Sequence, residues 1–221
     1  MKLFFSAIMK FLLGALLVGV SIFLPAGTLC FSYGWLLMGI LFVPMFAAGL
    51  IMMVKTQELL KKRLTLKERQ KEQSTVVKLS GLMFLAGFTI AGLGVRLGWY
   101  ILPRSVVILS AIVFLIAYLL YAEVLRENAY LSRIIEVQEG QKVIDTGLYG
   151  IVRHPMYSAT LLLFLAMPLV LGSIYAFVIF LAYPFIIARR IRREEQLLEK
   201  ELQGYREYKR RVKYRLIPFI W

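Results

Sequence analysis

Runs of about twenty apolar residues recur along this chain, and nothing else in it narrows the choice of fold so far. A helix that crosses the hydrocarbon core of a bilayer needs about 20 such residues, and residues 3–24 supply them, broken only by Lys10. Lys10 lies close enough to the segment end for its ammonium to snorkel to the surface. Residues 35–54, with Pro44 as an expected kink, 79–95 and 105–122 repeat the pattern. The composition agrees: 60% of the 221 residues are hydrophobic and mean hydropathy is +0.72, well above an ordinary soluble domain. The first run follows Met1-Lys2 as a signal peptide would, but it exceeds a signal core and meets the next run across the uncharged turn of Pro25, Gly27 and Gly34. It is therefore read as a retained helix.

The net charge of +14 does not imply nucleic acid, because Lys and Arg fall in blocks between the apolar runs, where topology and anionic lipid account for them. Residues 55–78 hold eight basic and three acidic residues and are expected to be helical in part. One cysteine, Cys30, allows no internal disulfide, and one histidine without a cysteine cluster points to no metal site. The third run is rich in small residues, among them Gly81, Gly87, Gly92 and Gly94, which permit close helix packing in lipid.

Between residues 156 and 188 the chain is apolar with one plausible break, Gly172-Ser173. Thirty-three residues are too few for two upright full-length helices, so a short or tilted hairpin is expected, with one long broken helix as the alternative. The expected architecture is all-α, a polytopic transmembrane helical bundle of about five to six spans. Residues 1–122 form its N-terminal membrane region with the basic loop 55–78. Residues 123–221 form a loop, the hairpin 156–188 and a charged helix from Arg189 onward. The basic loops and tail place both termini, and the stretch around His154, on the cytoplasmic side.

That stretch, VIDTGLYGIVRHPMYS at 143–158, carries the sole histidine, His154. Gly147 and Gly150 permit positive φ, and Pro155 suits the first turn of a helix. Residues 151–155 thus read as a helix entrance at the membrane surface. Its N–H groups favour an anion, and Arg153 offers a planar fork for a carboxylate. His154 can donate or accept, and Tyr157 can stack on a ring or cap a polar group. Alone, the pair is equally well read as interfacial anchors. A second cluster follows the hairpin on the same side: Arg189, Arg190, Arg193, Glu194 and Glu195. Arg190 and Glu194 can face one another at i, i+4, whereas the two glutamates diverge by about 100 degrees. Residues 199–215 read as a solvated helix laced with salt bridges.

GLYGIVRHPMY followed by RxxxEExxL resembles the isoprenylcysteine carboxyl methyltransferases and their phospholipid methyltransferase relatives. The matching residues are Gly147, Tyr149, Arg153, His154, Pro155, Tyr157, Arg190, Glu194, Glu195 and Leu198, with Gly204, Tyr205, Tyr208 and Ile217-Pro218 in the tail. The resemblance covers residues 120–221; where these families often carry a glycine two residues past the motif tyrosine, this chain has Ala159. It implies an integral membrane methyltransferase using S-adenosylmethionine, its pocket closed by the C-terminal helix. It also implies that Tyr149, Arg153, His154, Pro155, Tyr157 and Glu194 hold the cofactor, and that Arg190 and Glu195 act on the acceptor. The expected partners are the bilayer, anionic lipids at the basic loops, and a lipid-like or small apolar methyl acceptor. Two other readings stay open: a sterol or isoprenoid reductase using a nicotinamide cofactor, and a non-catalytic transporter or assembly protein.

Overall fold

Backbone groups in hydrocarbon find no water, so each apolar run must satisfy its hydrogen bonds within itself. In the computed structural model, which describes residues 2–64, 71–128, 130–131 and 137–221, every such run is a helix. The long ones are α1 (Lys2–Ala26), α2 (Ser32–Lys55), α4 (Lys71–Arg96) and α5 (Arg104–Glu127). A short α3 (Gln57–Leu64) occupies the start of the basic loop; residues 65–70 of that loop lie outside the described residues. α2 continues through Pro44.

The expected hairpin is present. α6 (Pro155–Val170) turns at Gly172 into α7 (Ile174–Phe180), and α8 (Tyr183–Glu201) continues it after a brief break. Gly172 has φ 72°, and Ser173 caps α7 by accepting from the Ala176 N–H at 3.2 Å. Among the described residues five segments are long and apolar enough to cross a membrane, the last running from Ile174 to Glu201. α6, at 16 residues, is shorter, about 24 Å at 1.5 Å per residue. It packs along α5, which shields it from lipid.

The turns 27–31, 97–103 and 171–173 meet on one face of the bundle: the Leu102 N–H donates to Gly172 O at 2.9 Å, and Gly27 abuts Arg96. Element order then puts the N-terminus, the end of α5, the start of α6 and the tail on the opposite face. The small residues of α4 work within the chain. A Cβ on Gly92 would lie 2.3 Å from Ile22 O of α1, and one on Gly87 would strike the ring of Phe180 at 2.3 Å. Outward, Leu12, Leu16, Leu24 and Leu119 are exposed, as suits a surface solvated by lipid.

The tail departs from the expected single charged helix. α8 ends at Glu201, Gly204 adopts φ 84°, and a separate α9 (Tyr205–Arg211) follows. Only glycine takes that backbone cheaply, so the chain reverses there and α9 folds back beneath the membrane region.

Candidate active site

Gly147 begins a 3₁₀ turn, Gly147–Gly150, at the end of α5. Its φ is 47°, and a Cβ there would overlap the Glu127 carboxylate. That carboxylate accepts from the Leu148 N–H at 3.2 Å and from the Thr146 hydroxyl at 2.9 Å. Gly150 is not among the positive-φ glycines; it is needed instead because Asp145 O lies 3.2 Å from where a Cβ would stand. The turn leaves Tyr149 buried, with its hydroxyl accepting from Asn128 at 2.9 Å.

Pro155 opens α6 as expected, and His154 precedes it at the N-cap. The entrance is not an open anion site, however. Residues 212–216 return from α9 as a strap, and the Arg153 and His154 N–H groups donate to Tyr214 O and Arg215 O, each at 2.9 Å. The Ser158 hydroxyl donates to Leu216 O at 2.6 Å.

Arg153 is likewise spent internally. Its Nε donates to Glu195 Oε1 at 2.7 Å and its Nη1 to Val212 O and Lys213 O at 2.7 and 2.8 Å. The guanidinium therefore pins the strap to α8 rather than presenting a fork to a ligand. Glu195 is 2% exposed and both its oxygens are engaged, by Arg153 and His154 Nε2 (3.2 Å) on one and Arg215 Nε (3.0 Å) on the other. It is the hub of this cluster and does not line the cavity beside it. Glu195, expected at the acceptor, is thus set among protein partners. Burying it is tolerable because three cationic or polar partners replace its water.

Arg190 and Glu194 do come together, with Tyr157 between them. The Tyr157 hydroxyl donates to Glu194 Oε2 at 2.5 Å and accepts from Arg190 Nε at 2.9 Å. The Tyr157 ring also stacks on His154, with centroids 5.7 Å apart and planes 28° apart. Arg190, Glu194, His154, Tyr149 and Tyr157 all line one cavity.

Leu198, Leu202, Tyr205 and Tyr208 form the side of the cavity contributed by α8 and the tail. This overturns the solvated reading of 199–215. Leu202, Tyr205, Tyr208 and Val212 recur at helical spacing and are buried together, so an apolar stripe lies hidden among the charges. That spacing was the available signal. Asn128, Tyr130, Leu131, Gln141 and Lys142, which also line the cavity, come from a loop with no such pattern.

The two tail phenols differ in one respect. The Tyr208 hydroxyl donates to Tyr149 O at 2.8 Å, but the buried Tyr205 hydroxyl has no hydrogen-bond partner among the described residues. Burial, then the Glu195 and Glu194 carboxylates, push the Tyr205 phenol far above its ordinary range; burial, then Tyr149, does the same for Tyr208. Both are neutral at any physiological pH.

The model of the Isoprenylcysteine carboxyl methyltransferase (ICMT) family matches residues 106–200. That region is similar to the isoprenylcysteine carboxyl methyltransferases. The match begins in α5, takes in the 3₁₀ turn, α6, α7 and most of α8, and stops before α9 and the strap. The chain shares its fold with the solved eukaryotic intramembrane Ras methyltransferase ICMT, at a TM-score of 0.50 and 16% identity over 85% of this chain and 74% of that one. A Delta(14)-sterol reductase of Mus musculus is 33% identical over 90 residues, which are 39% of this chain. The match spans only 22% of that relative's length.

Proposed function

We propose that this protein is a multi-pass membrane methyltransferase that takes its methyl group from S-adenosylmethionine and passes it to an apolar, lipid-like acceptor. The observation that carries this reading is the cavity at the start of α6. It combines tyrosine rings, the Glu194 carboxylate, the cations Arg190 and Lys142, and the unpaired Tyr205 hydroxyl. A ligand that is zwitterionic at one end, cationic at its centre and aromatic at the other suits such a wall. Carboxylate and ring faces attract a sulfonium or ammonium, the guanidinium attracts a carboxylate, and Tyr205 meets a polar hydrogen or lone pair.

The residues named for the cofactor then divide. Tyr149, Arg153, His154, Tyr157 and Glu194, which line the cavity, would hold it directly, with Tyr205 added, while Pro155 shapes the wall behind them. The bound cofactor supplies an electrophilic methyl carbon. Transfer of that methyl is a single in-line displacement, so the chain contributes alignment, proximity and exclusion of water rather than a covalent intermediate. Arg190, fixed through Tyr157, is placed to orient the acceptor. Glu195 sets His154 and the strap in position rather than touching substrate. A carboxylate acceptor needs no base; an amine acceptor must lose a proton, and Glu194 on the cavity wall is the group able to take it. The acceptor enters from lipid and the soluble donor from the cytoplasmic face, where the basic loops put both termini and this cavity.

Radiolabelled S-adenosylmethionine should bind saturably to detergent-solubilised protein, and His154→Ala should weaken that binding at least tenfold. A methyl-transfer assay against fractionated membrane lipids and prenylated cysteine analogues should then label the apolar fraction. Labelling of a soluble thiol or amine alone would end the lateral-entry reading. The similarity to a Delta(14)-sterol reductase favours one rival, a reductase using a nicotinamide cofactor. Displacement of the radiolabel by reduced nicotinamide nucleotide, or binding of that nucleotide alone, would decide for it.

A further inference from the structure

The strap does not stop at the site. Beyond Leu216 the chain makes a tight knuckle: the N–H groups of Arg215, Leu216 and Ile217 all donate to Trp221 O, at 2.8, 2.9 and 3.2 Å. The N–H groups of Ile220 and Trp221 return to Ile217 O at 3.2 and 3.1 Å. Phe219 takes φ 66° at the tip, a conformation costly for a bulky side chain, and its ring packs 5.3 Å from that of Tyr214. These bonds hold the tip in one shape and turn its side chains outward. Phe219 is 88% and Ile220 77% exposed, and Ile217 and Pro218 are exposed beside them.

Such a tip is costly in water, and its height in the bundle says what covers it. Leu216, directly before the knuckle, is buried in the main core and is bonded to Ser158 on the first turn of α6. α6 is the apolar helix that runs from this face to the opposite turn at Gly172. The knuckle thus stands level with the boundary where apolar chain begins. Close to it in the chain are the exposed cations Arg206, Arg210 and Lys213, which outnumber the exposed Glu207 among them. An apolar and aromatic tip with cations nearby suits an anionic leaflet, acyl chains for the one and charged headgroups for the other.

We propose that residues 217–220 are a preformed wedge seated in the headgroup region of an anionic leaflet, which fastens the strap over the cavity to the membrane surface. The strap is held from two sides, by Arg153, His154 and Glu195 within the protein and by lipid outside it. Loosening the wedge loosens the carbonyls of Val212 to Arg215 that close the α6 entrance. The inference stands on the tip, its level and its flanking charge, independently of what the cavity binds.

A nitroxide label placed by Phe219→Cys in a Cys30→Ser background tests it in vesicles of phosphatidylcholine with phosphatidylglycerol. Leu16→Cys serves as the lipid-facing reference and Arg206→Cys as the aqueous one. The ratio of oxygen to nickel-chelate accessibility at 219 should lie between those at 16 and 206, several-fold above the latter. It should move outward when Lys213→Glu and Arg210→Glu are added or phosphatidylglycerol is left out. Accessibility like that at 206 would overturn the proposal. So would a label shielded from both relaxants with spin–spin broadening, since the tip would then be covered by a second copy of the chain. An unchanged depth in phosphatidylcholine alone would equally overturn it, because the cations would then play no part.

Discussion

Along α1 and α2 apolar side chains face outward, Leu16 at 62% exposure and Val43 at 69%, while at the start of α6 and along α8 three ionisable side chains, Arg153, His154 and Glu195, are turned inward and almost fully buried. The first region is held by shape. Glycines let backbones approach, as Gly92 does against Ile22 O, and lipid supplies the rest of the solvent. The second is held by bonds between charged groups that gave up water to be there. Each of those groups depends on the others remaining, since an unpaired charge in such a place is far costlier than a missing methyl group. A membrane scaffold therefore tolerates loose specification, and a polar cavity set into it does not.

The sharpest way to break that contrast is Glu195→Ala. It strands the buried Arg153 and frees Arg215, and should cost roughly 3–5 kcal/mol, read as thermal unfolding in detergent. A loss below about 1 kcal/mol would mean that the cluster is solvated and the contrast mistaken. Gly92→Ala probes the first region. Its new methyl would stand 2.3 Å from a backbone oxygen, which cannot swing aside as a side chain can, so about 1–3 kcal/mol of destabilisation is expected by the same measurement.

Tyr205→Phe sharpens the comparison within the polar region itself. The hydroxyl has no partner among the described residues, so its removal should leave the unfolding temperature unchanged or slightly raised. Donor binding should weaken by about 0.5–1.5 kcal/mol, a factor of roughly 2 to 13 in Kd by direct titration. Loss of stability without loss of binding would make Tyr205 a packing residue. Smallest of all, Leu16→Ala on the lipid face of α1 should stay within about 0.5 kcal/mol. A cost as large as that of Glu195→Ala would show that α1 is packed against something other than lipid.

The helices were legible because hydrocarbon length leaves few choices for a twenty-residue apolar run, and the hairpin at Gly172-Ser173 because glycine and a capping serine mark it. Among the site residues, Arg-His-Pro-x-Tyr and the downstream glutamates were visible as types. Their duties were not: Arg153 looked like a ligand fork and is a clasp on the strap, while Glu195 looked like a substrate-facing acid and is a buried hub. Tyr205 and Tyr208 stood in the tail pattern, but their burial was hidden by their charged neighbours; it shows in the apolar recurrence of Leu202, Tyr205, Tyr208 and Val212.

By itself, then, the sequence determined that the chain is a helical membrane bundle with its chemistry-bearing residues gathered at one end. Hydrophobic length and backbone hydrogen bonding act locally and can be read in order. Only the tertiary structure decided which charged groups face the cavity and which face each other. That choice depends on a strap brought back from about sixty residues away, and on the αL turn at Gly204 that sends it there. Partners so distant in the chain have no spacing by which a reader could pair them.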